Sequence, residues 1–164
     1  MRIGVFGLPR SGTNFMEWTL QNNFVEIELP KVEFELNDVQ PYIPKVIHRK
    51  HTYPSLKELD GCVVIYKSFI DWIESLERFK KTMWFPYNLT SWEYYLDKAR
   101  ELPKEKTLIV EHRWCVNNYE TLLSNISDKF GVKLKEDWTA PIYRFDIDKV
   151  SNQLYENKVW LHSN

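Results

Sequence analysis

Apolar positions recur along this chain with two different periods, and the switches between them outline its elements. Four short apolar runs rich in β-branched residues predict strands at 3–6, 45–48, 62–66 and 107–110. Between them the spacing lengthens to that of amphipathic helices. Residues 15–23 form the first such pattern. Residues 69–81 form the second, with Phe69, Trp72, Ile73, Leu76 and Phe79 along one stripe. The third spans 91–101, with Ser91 or Thr90 as N-cap, and the fourth spans 118–130 and is closed by Gly131. Strands that alternate with helices predict an α/β fold, a three-layer sandwich whose central, mostly parallel sheet is flanked by helices. Residues 25–29 and 32–36 alternate apolar with acidic side chains, which suits short edge strands or a hairpin. The tail, 145–160, is expected to form a last helix on the sheet. The 164 residues contain no repeat or low-complexity stretch, so one domain spanning 1–164 is expected.

The first strand runs directly into the most informative segment, Gly7-Leu8-Pro9-Arg10-Ser11-Gly12-Thr13-Asn14, and then into the first helix. Strand, glycine-bounded loop and helix N-terminus together make a phosphate cradle, because the loop's N–H groups and the helix dipole both face an incoming anion. The spacing from Gly7 to Gly12 matches the start of a Walker A loop, GxxxxGK[ST], which makes the expected sandwich P-loop-like. Thr13, however, stands where the lysine belongs, and the cation sits inside the loop as Arg10. A guanidinium there offers a fork of donors matched to an oxyanion. Ser11, Thr13 and Asn14 add hydroxyl and amide groups. Helix capping is an equally good use for these residue types and is compatible with anion binding, since both engage the same N–H groups.

Composition narrows the field. The formal charge of −1 gives no bulk attraction to nucleic acid or to a membrane surface, so an anion must be held by a local cluster of basic residues. Neither Cys62 nor Cys115 belongs to a CxxC or metal-ligand pattern. Two buried thiols, the absence of a leader ahead of the first strand and the absence of a run of transmembrane length lead to the expectation of a cytoplasmic chain with no metal. The sequons at Asn88 and Asn125 are then chance matches. Residues 83–88, followed by Trp92, Tyr94 and Tyr95, are dense in aromatics. A core or interface segment is the first reading and an acceptor pocket the second.

Pro9-Arg10-Ser11-Gly12-Thr13 resembles the 5′-phosphosulfate loop of the PAPS-dependent sulfotransferases, which reads PKSGTTW or PRSGTT. Two further segments follow in the family's order. Val46-Ile47-His48-Arg49-Lys50-His51 resembles the strand ending in Lys-Thr-His that carries the family's catalytic histidine. Val63-Val64-Ile65-Tyr66-Lys67-Ser68, with Ser75 beyond, resembles the segment YxxRxPxDxxxSxxxF, in which the arginine and the serine eight residues later hold the 3′-phosphate. Asp71 and Phe79 also fall on that pattern. Residues 107–131 are a weaker echo of the YEDL…FLGV segment. Lys67 replaces the family arginine, and the C-terminal Arg-Lys-Gly segment has no recognisable counterpart, Arg144 being the nearest basic residue.

The resemblance implies a sulfotransferase that moves a sulfuryl group from 3′-phosphoadenosine 5′-phosphosulfate (PAPS) to a hydroxyl or amine of a small-molecule or carbohydrate acceptor. It implies that Arg10, Ser11, Gly12, Thr13, Asn14, Phe15, Lys67 and Ser75 hold the nucleotide, with Phe15 near the adenine. Phe15 is equally suited to be the first core residue of its helix. Arg10 would stabilise the leaving phosphate and His51 would act as general base, an imidazole being suited to that task at neutral pH. Were residues 47–51 extended, Arg49 and His51 would share a face and His48 would point away, which matches the family's Lys-x-His spacing and implies Arg49 as a catalytic cation beside the base. His112, also at a strand end, is the rival base. A P-loop kinase or NTPase and a non-catalytic nucleotide-binding module are the alternatives. Lys67, where a carboxylate would hold Mg²⁺, counts against the first of these.

Overall fold

The computed structural model describes residues 1–30, 51–79 and 88–141, with Phe79 by its backbone, and the backbone of 143–144, 154–155, 158–159 and 161–162. The expected strand at 45–48, the second alternating stretch at 32–36, Arg49, and the aromatic residues 83–87 lie outside them.

Three strands form a parallel sheet: β1 (Ile3–Phe6), β2 (Gly61–Tyr66) and β3 (Thr107–Glu111), in the order β1-β2-β3. Val5 pairs with Val63, and Val63 with Leu108. β2 lies between the other two and is buried nearly throughout, which explains why it reads as a continuous apolar run rather than an alternating one. Of the expected edge strand at 25–29, one bridge forms: Ile3 N–H donates to the Glu28 carbonyl at 3.1 Å and Glu28 N–H to the Met1 carbonyl at 2.9 Å.

Strand alternation divides the core between the two faces of the sheet. Ile3, Val5, Val63, Ile65 and Val110 pack with α1 (Thr13–Asn23), α4 (His112–Asn117) and α5 (Tyr119–Phe130). Phe6, Cys62 and Val64 pack with α2 (Phe69–Phe79) and α3 (Leu89–Arg100). The stripe on α2 explains its placement: Phe69, Trp72, Ile73 and Leu76 face this second core, while Ile70, one position off the stripe, is exposed. The result is a mixed α/β fold with a parallel sheet flanked by helices. Among the described residues no helix is long and apolar enough to cross a membrane.

Three expectations need correction. α3 begins at Leu89 because Asn88 caps it, its side-chain oxygen accepting from Ser91 N–H at 2.9 Å, so Ser91 lies inside the helix. The expected helix over 118–130 is preceded by a second one, α4, which follows β3 without a loop. Asn118 divides the two, its side chain donating to the Trp114 carbonyl at 3.0 Å. In place of a tail helix, Leu154–Tyr155 pairs antiparallel with Lys158–Val159, the two-residue separation of a hairpin, and Tyr143–Arg144 pairs parallel with Leu161–His162.

Candidate functional site

Because the three strands are parallel, their carboxyl ends converge on one edge of the sheet. β1 delivers the loop 7–13 there, β2 delivers Lys67 and β3 delivers His112. Ligands of parallel sheets bind at this edge.

The loop's backbone is unusual in two places. Arg10 adopts a φ of 69°, a left-handed conformation uncommon for a residue with a side chain. Gly12 is left-handed too, at φ 104° and ψ 19°, and forms the N-cap of α1 without a capping side chain. Alternation of left-handed with ordinary residues turns successive N–H groups toward one concavity, and the positive end of α1 adds to it. Gly7 is required by close approach. A Cβ there would lie 2.6 Å from the Ile65 carbonyl and would collide with Ser11 Oγ. Ser11 N–H donates to the Leu8 carbonyl at 3.0 Å, and Met16 N–H donates to the Gly12 carbonyl at 3.1 Å as the first helical bond.

Two indoles hold this edge in place. Trp72, fully buried on α2, donates its Nε1–H to the Pro9 carbonyl at 2.8 Å. Trp92 on α3 donates to the Lys67 carbonyl at 3.0 Å. A buried indole N–H needs an acceptor, and here the need fixes the loop and the end of β2. In the sequence Trp72 reads as a core residue alone. Its second role carries no local signal beyond that unmet N–H.

His51 reaches the loop from 44 residues away: its Nδ1 lies 3.0 Å from the Gly7 carbonyl. A carbonyl oxygen only accepts, so Nδ1 carries the proton and the ring's basic lone pair is on Nε2. The segment bearing His51 is held further by Tyr95, buried on α3, whose hydroxyl donates to the Thr52 carbonyl at 3.1 Å. Burial pushes the Tyr95 phenol well above its ordinary value, so it remains a donor. His51 sits in a helical turn rather than an extended strand, so the argument that it shares a face with Arg49 does not carry through to this residue.

Lys67 and Ser75, eight residues apart, meet. Lys67 Nζ donates to Ser75 Oγ at 3.2 Å, and both side chains are buried. Burial, reinforced by the charges of Arg10 and Arg78 and opposed by Asp71, lowers the Lys67 ammonium from 10.5 to about 7. Desolvation also lowers the Arg10 guanidinium below its ordinary value. Asp71 pairs with Arg113, Oδ1 to Nη2, at 3.4 Å.

The remaining expected residues separate. Ser11 and Thr13 are buried in the loop, and Asn14 is exposed on the first turn of α1. Phe15 has no exposed surface. It packs edge-on against His112 at 5.4 Å and Tyr119 at 5.9 Å, as a first core residue of the helix would. His112 is buried, and desolvation, with Lys67 adding to it and Asp71 opposing, lowers its imidazole to about 4. So low a value makes it a poor base at neutral pH. Cys62 and Cys115 are buried free thiols raised to about 11 and 12 by burial, as expected of inert core cysteines.

Comparison of the chain with protein-family models, curated proteins and solved structures finds no match.

Proposed function

We propose that this chain is a PAPS-dependent sulfotransferase of P-loop type, transferring a sulfuryl group to a hydroxyl or amine of a small-molecule or carbohydrate acceptor. The observation that carries the reading is the docking of His51 on the first residue of the loop. An anion cradle and an oriented base at one point suit in-line transfer from a phosphate-linked group to an acceptor oxygen. Nδ1–H on the Gly7 carbonyl leaves Nε2 as the position that takes the acceptor's proton. Arg10, within the loop, meets charge that builds on the leaving phosphate. The loop residues Ser11, Gly12, Thr13 and Asn14 surround the 5′ end of the nucleotide, and Lys67 with Ser75 receives the 3′-phosphate. PAPS, when bound, supplies the activated sulfonate.

The donor set fits such a ligand: Ser11 Oγ is buried without a hydrogen-bond partner among the described residues, and two basic side chains stand beside it, Arg10 being near enough to lower the proton affinity of Lys67. The same residues suit Mg²⁺-dependent phosphoryl transfer poorly, because Thr13 replaces the loop lysine and Lys67 occupies the strand end where a carboxylate would hold the metal.

Labelled PAPS offered with a panel of hydroxyl and amine acceptors tests the reading. Transfer by the native protein, its loss in His51→Gln, and unchanged binding of adenosine 3′,5′-bisphosphate by that variant are expected. Near-native turnover in His51→Gln would end the assignment of the base. Bisphosphate binding with no transfer to any acceptor would favour the non-catalytic module.

A further inference from the structure

Beside the loop the fold keeps a second buried polar group without a hydrogen bond to any described residue, the imidazole of His112, which is only 6% exposed. One face of the problem is energetic. The ring keeps little contact with water and no described residue bonds its nitrogens, so an apolar ring of the same shape would be tolerated there. The other is geometric. A Cβ placed on Gly12 would collide with His112 Cδ2, with Cγ at 3.2 Å and Nε2 at 3.3 Å, so the Cδ2 side of the ring, which borders Nε2, lies against the residue at which the loop becomes α1. The ring also packs edge-on against Phe15 at 5.4 Å between centroids. The charged groups that act on it are Lys67 and Asp71.

We propose that His112 is an anion-contacting residue of the loop, donating Nε2–H to an oxygen of the phosphate or sulfonate group held there. This rests on the reading of the loop as an anion cradle. A fully ionised phosphate or sulfonate oxygen only accepts, so the nitrogen that meets it must carry the proton, and the neutral imidazole has one proton to place. A neutral donor suits this position. Arg10 and Lys67 already crowd two cations at the site, and a third charge under the loop would be repelled, whereas an uncharged N–H adds a directed bond without that penalty. The imidazole's low proton affinity, about 4, keeps it in this form through the neutral range. The contact also gives Gly12 a second reason to lack a side chain, since any Cβ would displace the ring edge from the loop.

Two variants of the full chain separate this role from packing. His112→Phe keeps a ring and removes the donor, while His112→Gln keeps an N–H donor at similar reach. Binding of inorganic phosphate and of adenosine 3′,5′-bisphosphate is measured by calorimetry, and stability without ligand by urea unfolding. His112→Phe is expected to lose about ten- to hundredfold in affinity, the worth of one hydrogen bond to a charged group, while unfolding at the same or higher urea concentration than the native protein. His112→Gln is expected to retain most of the affinity. In the native protein the ¹⁵N signal of His112 Nε2 should move when phosphate is added. Native affinity in His112→Phe, or an Nε2 signal that stays still while loop amides shift, would overturn the contact. Loss of affinity accompanied by loss of stability in His112→Phe, without rescue by His112→Gln, assigns His112 to packing and overturns it as well. Failure of the native protein to bind either probe removes the anion cradle itself, and with it both readings.

Discussion

Replacing Lys67 by methionine reads the electrostatics of the site directly. Lys67 is 5% exposed, and burial with nearby cations lowers its ammonium group from 10.5 to about 7. Between those two values the unfolded chain holds a proton that the folded chain has released. Stability therefore rises with pH across that window, and it is the charged form, below it, that the fold pays for. The two cysteines act in the opposite sense above their ordinary 9.0, because burial raises both. The interval from roughly pH 7 to 8.5 isolates the lysine, and integrating the single titration across it gives a gain of about 1.5 kcal/mol. Methionine keeps the length of the stem and removes the amine. Urea unfolding across this interval is expected to show a rising midpoint in the native protein and none of this rise in Lys67→Met. The variant should also be the more stable of the two at pH 7, with weakened bisphosphate binding. Equal pH slopes in the two proteins would refute the argument.

Acid should act through His112. Its folded value of about 4 lies below the ordinary 6.5, so as pH falls the unfolded chain takes up a proton first and stability is lost. Between roughly pH 7 and 4.5 the native protein should lose about 2.5 kcal/mol more than His112→Phe, measured by urea midpoints, and equal losses would contradict the assignment. Gly12→Ala forces a side chain onto a φ of 104° and drives its methyl into His112. A cost of about 2 kcal/mol or more, with weaker phosphate binding, is expected in unfolding and calorimetric assays, and a neutral substitution would show that the loop does not need its left-handed turn.

The parts of the fold legible in the sequence are those that one period determines. β1 and the start of α2 fall where the pattern puts them, because strand burial and a single apolar stripe leave no competing arrangement. α4 was not legible, since β3 passes into it without a turn residue to mark the change and its six residues hold too little pattern to read. The tail misled because its mixed apolar and polar residues fit either period. At the site, Lys67 and Ser75 are paired through the family resemblance, and a strand end followed by a helix brings the two together across their eight-residue separation. His51 on Gly7, Trp72 on Pro9 and Tyr95 on Thr52 depend on long-range packing, which no local pattern encodes. Phe15 is ambiguous in sequence for a related reason: an aromatic ring after a phosphate loop serves a ligand or a core equally well, and its complete burial is visible only in the fold.

The central claim is that loop 7–13, with Lys67 and Ser75, accepts a nucleotide carrying phosphates at both ends of its ribose. Thermal unfolding of the full chain with adenosine 3′,5′-bisphosphate, compared with ADP plus Mg²⁺, tests it most directly. The account predicts a rise in Tm with the bisphosphate, equivalent to about 2.7 kcal/mol at a hundredfold excess over its Kd, and a much smaller rise with Mg²⁺–ADP. A larger rise with Mg²⁺–ADP would contradict it.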